Sequence, residues 1–542
     1  MTRAASWVWV LAAAATLFFL RFGYEFGAGD QDELLSLLLH QIDPELLSQD
    51  WYVVDQANQF TVRTPFLWLM QGLTWAIPLW LATLVVYLVG WFAVAWSLYR
   101  LAESLSASAL ASSAATLVIL VFIPTWTLGG NSLTANLLAP EMLGWALALP
   151  AVRLAYEKHL VRAGVLLALA AYLHLLVGAL VTGALGLAIL LGALCGPARE
   201  RWRHAWTLGG TVLILALPMI LAILRYRHAG APLAEDGVTA FFLFAELRLP
   251  HHYMPSIWGL GRWARFGLLA GAGGFGLAIL RRQGRPMRFV ERHVLAIGLM
   301  CLVAGPLIVW GGSLFVAQLQ VFKLTVLANA LLAIAACAGI TRVLPQRVRA
   351  WPGLSPGLSA GLAAGVLLLL TAGIATRQLD AQIGPWARAE DPFSRSERWI
   401  AENTPNDALV AAPPNRTTVR LATRRSVVVS FKAAPFNDIA MREWYRRLLE
   451  LAPRVDTTAR GLSFGDALDA AYARNTAADW DRLAQRYGIT HVIRDRAHGE
   501  APRGEVVFEA GTWAVYEIAP SATHREGDGD QPSPPLQDRP EG

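Results

Sequence analysis

Long apolar blocks, each almost free of charged residues, recur along most of the chain. A helix that crosses about 30 Å of hydrocarbon needs roughly 20 such residues, so the pattern predicts about eleven transmembrane helices. The first block is not followed by a small-residue cleavage site, so we read it as a retained helix rather than a signal peptide. The predicted helices lie near residues 4–22, 78–99, 109–128, 137–152, 162–175, 176–194, 207–225, 264–280, 293–312, 315–339 and 356–376.

The fifth and sixth blocks form one apolar run with His174 near its middle. A tight hairpin and a single bent helix are both compatible with that run. The distribution of positive charge bears on the choice, because cytoplasmic loops carry an excess of Lys and Arg. The clustered basic residues all fall on one side only if the run crosses out and back. These residues are Arg153, Lys158, Arg162, Arg199, Arg201, Arg203, Arg281, Arg282, Arg285, Arg288, Arg292, Arg342, Arg347 and Arg349.

This topology places the acidic loop 23–65 outside the membrane, and an odd number of crossings places the C-terminal part on the same side. Residues 1–376 are therefore predicted to form a transmembrane domain, and 377–520 an extracytoplasmic α/β domain. Residues 521–542, rich in Gly, Pro, Asp and Glu, have the composition of a disordered tail. Within the α/β domain the pattern predicts helices over 438–451 and 477–487, and strands over 408–412, 426–431, 491–494, 506–509 and 513–518.

Composition supports a membrane protein and argues against other classes. Only 16 % of the residues are charged, whereas soluble domains carry about 25 %. The net charge of +6 comes from arginines between apolar blocks, so membrane topology explains it better than nucleic-acid binding. The three cysteines form no C-x-x-C pair, which gives no sign of a zinc site or a disulfide framework. The sequence lacks a Lys-Ser/Thr phosphate loop, a Gly-x-Ser-x-Gly elbow and a His-Glu-x-x-His motif.

The acidic loop holds the first candidates for chemistry, Asp30, Asp32, Glu33 and Asp50. Helix capping accounts for part of the set, since Asp30 as N-cap with Glu33 three residues later is a capping-box pattern. Asp43 followed by proline likewise suits the start of a helix. Capping leaves Asp32 and Asp50 unexplained, so a functional carboxylate in this loop remains the competing interpretation.

Charged residues within apolar runs are the second set. A charge such as Lys323 inside a membrane span is costly unless it is paired or hydrated, so it suggests a function. Its alternatives are snorkelling or a salt bridge to Glu141 or Glu246. Glu141 itself, near the outer end of a span, is a candidate to face a cavity.

Three residues that follow a short apolar stretch, His251, His252 and Tyr253, could bind a lipid phosphate together with Arg248, or could anchor the chain at the interface. For His174, a binding role competes with simple packing. In the C-terminal part, Arg424, Arg425 and Lys432 could contact phosphates or an anionic acceptor, or could form a solvated face.

Several short motifs resemble the GT-C superfamily of membrane glycosyltransferases. They are the 29–33 segment Gly-Asp-Gln-Asp-Glu, Asp50, the 250–253 segment Pro-His-His-Tyr and the 318–323 segment Gln-Leu-Gln-Val-Phe-Lys, which includes Gln320. The C-terminal likeness rests on 404–405, 413–414, 424–425, 443–444 and 487–492. The order of elements is similar too, with an apolar helix, an acidic outward loop, about ten further spans and a terminal outward domain.

The resemblance implies an enzyme of the bacterial inner membrane that transfers a sugar from a polyprenyl-phosphate carrier to an extracytoplasmic glycan, lipid or protein. It implies that a first-loop carboxylate, Asp32 or Glu33 and then Asp30, is the general base. Cationic and donor groups would stabilise the phosphate leaving group. Carboxylate ligands for Mg²⁺ or Mn²⁺ are also compatible with this layout, so metal dependence stays open. A transporter or lipid flippase, and a catalytically silent scaffold, are the alternatives.

Overall fold

The computed structural model describes residues 6–192, 198–227, 238–344 and 391–518. The chain is mostly helical and carries a small sheet in its C-terminal part. All ten apolar blocks predicted within the described ranges overlap helices, while the block at 356–376 lies outside them. The helices that contain them are α1 Ser6–Phe22, α5 Leu79–Ser106, α6 Ala109–Leu117, α7 Pro140–Tyr156, α8 Leu160–Leu173, α9 Leu175–Leu191, α10 Ala198–Arg227, α12 Leu260–Arg282, α13 Arg288–Val309 and α15 Thr325–Val343.

Within the described residues, five helical segments are long and apolar enough to cross a membrane: Leu79–Ser106, Ala198–Arg225, Leu260–Arg282, Arg288–Val309 and Leu314–Val343. The last of these combines α15 with two short preceding turns, α14 Leu314–Gln318 and the 3₁₀ turn Val321–Leu324. Large apolar side chains on these helices, such as those of Ile214 and Leu302, are exposed on the protein surface. Lipid would cover such a surface, and the chain is a membrane protein.

The apolar run around His174 forms a hairpin. His174 has an extended backbone between α8 and α9, and its imidazole accepts a hydrogen bond from the Val177 N–H. A β-carbon on Gly178 would lie 2.5 Å from the Ala171 nitrogen and from the Leu167 oxygen. Positions separated by seven or more residues touch in this way only if the chain folds back, so α8 and α9 pack side by side.

Glycines also bring α12 and α15 into close contact. A β-carbon on Gly339 would lie 2.4 Å from the Gly276 α-carbon. Small residues at such positions let helix backbones approach closely, which is the usual basis of helix association in lipid.

The acidic loop contains two short helices, α2 Asp30–Ile42 and α3 Trp51–Ala57, and a third, α4 Thr64–Thr74, begins at its end. The predicted capping pattern is wrong at its first two sites. Gly29, not Asp30, is the N-cap of α2 and makes no side-chain cap, and Asp43 ends α2 instead of starting a helix. Asp50, which capping was not expected to explain, is the N-cap of α3 and accepts from the Val53 N–H at 3.2 Å.

The described part of the C-terminal domain, residues 391–518, is an α/β unit with five helices, α16 Pro392–Asn403, α17 Val419–Thr423, α18 Asp438–Leu451, α19 Leu462–Tyr472 and α20 Ala477–Tyr487. Its strands are β1 Leu409–Ala411, β2 Ser426–Val427, β3 His491–Asp495, β4 Glu505–Ala510 and β5 Trp513–Glu517, in the order β2-β1-β3-β5-β4. β1 runs parallel to both β2 and β3, and β5 is antiparallel to β3 and β4.

The predictions for α18 and α20 match the observed bounds. β2 is shorter than predicted, because the residues after Val427 leave the sheet to meet the acidic loop. That contact, described next, joins the loop to the C-terminal domain.

Candidate functional site

Two buried carboxylates of the acidic loop share one guanidinium of the C-terminal domain. The Arg420 Nε donates to Asp50 Oδ2 at 2.7 Å and its Nη2 to Asp50 Oδ1 at 3.2 Å. The Nη1 donates to both Asp32 oxygens, at 3.1 and 3.2 Å. The side chain of Arg420 is 1 % exposed and that of Asp32 is 2 % exposed, so neither is available to a substrate.

Further donors complete this cluster. The Ser430 hydroxyl donates to Asp32 at 2.7 Å, and the Val427 N–H donates to Asp50 at 3.1 Å. Burial raises the pKa of Asp32, against the opposing effects of Arg420 and Ser430. Burial disfavours the charge of Arg420 as well, but the carboxylates of Asp50 and Asp32 outweigh it and raise its pKa.

Glu33 is also engaged by arginines. It forms ion pairs with Arg63 and with Arg248, whose Nη2 lies 3.4 Å from Glu33 Oε2. Arg63 donates to the Tyr52 hydroxyl at 2.9 Å, and the Arg248 Nη2 also donates to the Lys432 carbonyl at 2.6 Å. Glu33 is thus buried in an ion-pair network that joins the loop to the 242–248 segment and to the C-terminal domain.

Asp30 is the accessible carboxylate of the three. Its side chain is 49 % exposed and lies 2.6 Å from the Lys432 ammonium, which is 33 % exposed. Burial opposes ionisation of Asp30, but the charges of Lys432 and Arg248 outweigh it and lower its pKa to about 2. Asp30 is therefore an ionised, partly open carboxylate among cationic groups.

The segment that holds His251 and His252 forms the short helix α11, Pro250–Tyr253. Burial and then neighbouring cations lower the pKa of His251 to about 4 and that of His252 well below its ordinary value. Both imidazoles are consequently neutral at pH 7. The His252 Nδ1 lies 2.5 Å from the Gly129 carbonyl, which can only accept, so Nδ1 carries the proton in this assignment.

Tyr253 is fully buried, and its ring stacks on Phe244 with centroids 5.1 Å apart. This placement corrects the expectation of an interfacial anchor. The hydroxyl of Tyr253 and the Nε of the adjacent Arg248 are both buried, and neither has a hydrogen-bond partner within the described residues.

Lys323 lies in the 3₁₀ turn before α15 and is paired with a carboxylate. Its Nζ lies 2.6 Å from Glu141 Oε2, and the Trp145 indole donates to the other Glu141 oxygen at 3.2 Å. Of the alternatives open for Lys323, the structure therefore supports the salt bridge to Glu141. Gln320 precedes the turn with a left-handed backbone, φ 49°, and its carbonyl accepts from the Lys323 N–H at 2.8 Å.

The 127–131 segment connects the Lys323 turn to the His251 segment. The Leu128 N–H donates to Thr325, which directly follows the turn. The Leu128 carbonyl accepts from Arg262 at 3.1 Å, and the same Arg262 nitrogen donates to the His251 carbonyl at 3.0 Å. Three parts of the membrane domain that are distant in sequence thus meet around one loop.

Sequence reasoning missed several residues of this assembly, above all Arg420, Ser430, Arg63 and Arg262. Arg63 had a usable signal, because it is the single basic residue of an otherwise acidic loop. Arg425 is neither solvated nor near the loop carboxylates, since it is buried and donates to Thr404 and to the Ala401 carbonyl. Arg424 is exposed at the end of α17.

The described parts of the chain contain no group of three or more His, Cys, Asp or Glu side chains that could hold a metal ion. Asp30 and Glu33 are each engaged by a cation instead, and Asp32 and Asp50 share Arg420. These residues do not fit the divalent metal that the family resemblance left open.

Residues 392–451 match a family described as a domain of unknown function (DUF6798). This segment runs from α16 to α18 and includes Arg420, Ser430 and Lys432, the residues that contact the acidic loop. A search of curated proteins finds no match to the chain.

Proposed function

We propose that the chain is a membrane glycosyltransferase of the GT-C type, which moves a sugar from a polyprenyl-phosphate carrier to an extracytoplasmic acceptor. In this proposal the chain crosses the bacterial inner membrane about eleven times, with the acidic loop and the C-terminal domain outside. The observation that carries the proposal is the half-exposed carboxylate of Asp30, paired with Lys432 and surrounded by cationic groups.

Asp30 takes the role of general base in preference to Asp32 and Glu33, because those two are buried in arginine ion pairs. The acceptor hydroxyl transfers its proton to the Asp30 carboxylate while its oxygen bonds to the anomeric carbon. The bond from that carbon to the phosphate oxygen breaks, and the phosphate leaves with the electron pair. A single displacement of this kind inverts the anomeric centre.

The departing polyprenyl phosphate gains one negative charge and becomes a dianion, so donors must be in place before the reaction. Lys432 and Arg248 lie beside Asp30, and the electrostatic influence of Lys323 reaches His252. With its proton on Nδ1, a neutral His252 presents Nε2 as a hydrogen-bond acceptor without adding charge. No step is assigned to a metal.

The test is a transfer assay with purified protein in lipid, supplied with polyprenyl-phosphate sugars, in which release of polyprenyl phosphate is followed. Asp30→Asn should lower turnover by about 10² to 10⁴-fold, the usual contribution of a positioned base. Glu45→Gln is the matched control, since it removes one exposed acid of the same loop. Absence of turnover with every donor, or full turnover in Asp30→Asn, would overturn the proposal.

A transporter or flippase is the second candidate, and the Lys323–Glu141 pair within the membrane domain favours it, because such pairs mark ion and substrate pathways. The same proteoliposomes distinguish the two functions. Lipid movement without release of polyprenyl phosphate, lost in Lys323→Met, would support transport.

A further inference from the structure

The carboxyl ends of β1 and β2 in the C-terminal domain are occupied by the acidic loop. In open α/β sheets this edge of parallel strands is where ligands bind. Here a small cleft at that edge is lined by residues that follow β1 and β2, and by Asp32 from the loop. The domain therefore uses its usual ligand-binding edge to hold a segment of its own chain.

The contacts are those expected for recognition of two carboxylates. Arg420 presents its planar set of N–H donors, with two bonds to Asp50 and two to Asp32. Such a guanidinium fixes the direction as well as the distance of its partners. Ser430 adds a hydroxyl donor to Asp32 and Val427 adds a backbone donor to Asp50.

A buried cluster with two carboxylates and one guanidinium contributes little to stability, because the cost of removing these charges from water offsets their attraction. What such a cluster does provide is a defined geometry. Its members lie 370 and 388 residues apart in sequence, so this geometry relates the loop to the C-terminal domain.

The cluster around Arg420 lies next to Asp30 in the chain. Asp30 is the first residue of α2, and Asp32 lies two residues further on. On the other side of Asp30, the Gly29 N–H donates to the Thr417 hydroxyl at 2.9 Å. The start of α2 is thus fastened on both sides of Asp30 to the segment that leads into α17, where Arg420 lies.

We propose that Arg420 is a positioning residue, which holds Asp32 and Asp50 so that Asp30 stands beside Lys432 and Arg248. The C-terminal domain is then a part of the site and not an accessory module. The consequence for turnover rests on the glycosyltransferase proposal, whereas the consequence for the position of α2 does not.

The first experiment therefore measures structure in the full-length protein. Hydrogen exchange of residues 29–36 in lipid nanodiscs is compared among the wild type, Arg420→Lys and Ser430→Ala. A lysine keeps the charge of Arg420 but cannot bridge two carboxylates in a fixed plane. Thr423→Val is the matched control, because it removes a buried hydroxyl from α17 that bonds to Val419 and not to the loop.

We expect exchange in residues 29–36 to become at least tenfold faster in Arg420→Lys and measurably faster in Ser430→Ala, with the control and the strands of the sheet unchanged. Equal exchange in all four proteins would overturn the proposal. Acceleration spread over the whole C-terminal domain would overturn it too, because it would indicate general loosening. If Arg420→Lys does not fold, the exchange rate of residues 29–36 in Ser430→Ala tests the proposal by itself.

The second readout is kinetic. Wherever the wild type turns over, Ser430→Ala should lower kcat by about threefold or more with the KM for the lipid donor unchanged, and Thr423→Val should alter neither. A rise in KM alone would contradict a positioning role. Faster exchange in a protein with no turnover on any donor would leave positioning intact and reject only the glycosyltransferase proposal.

Discussion

Lys323 and Glu141 form an ion pair of 2.6 Å that joins the turn before α15 to the first turn of α7. The Lys323 side chain is 5 % exposed. A charge this deeply buried in a membrane domain requires a partner. The pair is therefore a structural requirement of the fold, whatever further role Lys323 has toward a substrate.

This pairing predicts a non-additive effect of mutation. Lys323→Met should lower the free energy of unfolding by about 3–5 kcal/mol, because Glu141, whose side chain is only 20 % exposed, would lose its charged partner. The double variant Lys323→Met with Glu141→Gln should recover most of that loss. Unfolding in detergent micelles, followed through a double-mutant cycle, measures the coupling. Additive effects of the two changes would mean that the pair does not form in the membrane.

The Asp30–Lys432 pair predicts a change in carboxyl reactivity. Lys432→Met should raise the pKa of Asp30 from about 2 toward the ordinary aspartate value of about 3.9, since the largest source of its lowering is removed. A carbodiimide modifies protonated carboxyl groups, so mass spectrometry at pH 4.5 should detect several-fold more label on Asp30 in the variant.

A control for this labelling is Arg503→Met, which removes a cation of the same domain that pairs with Asp481 at the surface. Label on Asp30 should be the same in that variant and in the wild type. Equal labelling in Lys432→Met as well would show that Lys432 does not interact with Asp30 in solution.

The sequence predicts the elements of this protein better than their contacts. Helices α18 and α20 were placed correctly because their apolar positions recur with helical period between polar faces. The capping pattern at Asp30 failed for a different reason. The chain turns into α2 at Gly29, with φ 59°, and the Gly29 N–H is satisfied by Thr417 of the C-terminal domain.

The contacts of the candidate site could not be predicted from local sequence patterns either. Local spacing identified the loop carboxylates, but it could not distinguish the open Asp30 from the buried Asp32 and Glu33. That distinction depends on arginines located elsewhere in the chain, such as Arg420 and Arg248. No local pattern around Arg420 indicates that it faces a loop 370 residues away.

The hairpin at His174 predicts that Gly178 cannot accept a side chain. The β-carbon of Gly178→Ala would collide with the backbone of α8 at Ala171 and Leu167. We expect a loss of about 1–3 kcal/mol in the free energy of unfolding, as for overpacking in other cores. Gly186→Ala in the same helix is the control, because nothing lies within 4 Å of its β-carbon. Thermal unfolding of both variants in detergent provides the comparison, and equal midpoints would argue for a single bent helix.

Asp469 in α19 predicts a pH dependence of stability. Burial raises the pKa of its carboxyl to about 6, although the Asn415 N–H, which donates at 2.8 Å, and the charge of Arg416 favour the ionised form. Its pKa in the unfolded chain is about 3.9. Between these two values the folded form binds more protons than the unfolded form, so stability falls as the pH rises and is lowest above pH 6.

Asp469→Asn should remove this cost, because the amide oxygen still accepts from Asn415 without carrying charge. The variant should unfold at a higher temperature than the wild type at pH 7.5 and at nearly the same temperature at pH 4.5. The gain is below about 3 kcal/mol, the value of two pKa units, since the side chain is partly exposed and solvent screens it. Tryptophan fluorescence during heating measures both midpoints. Asp466→Asn, a change of the exposed acid one turn earlier, is the control; it removes only a minor contribution to the raised pKa and should leave most of the pH dependence in place. An Asp469→Asn protein less stable than the wild type at pH 7.5 would show that the ionised carboxylate stabilises the domain.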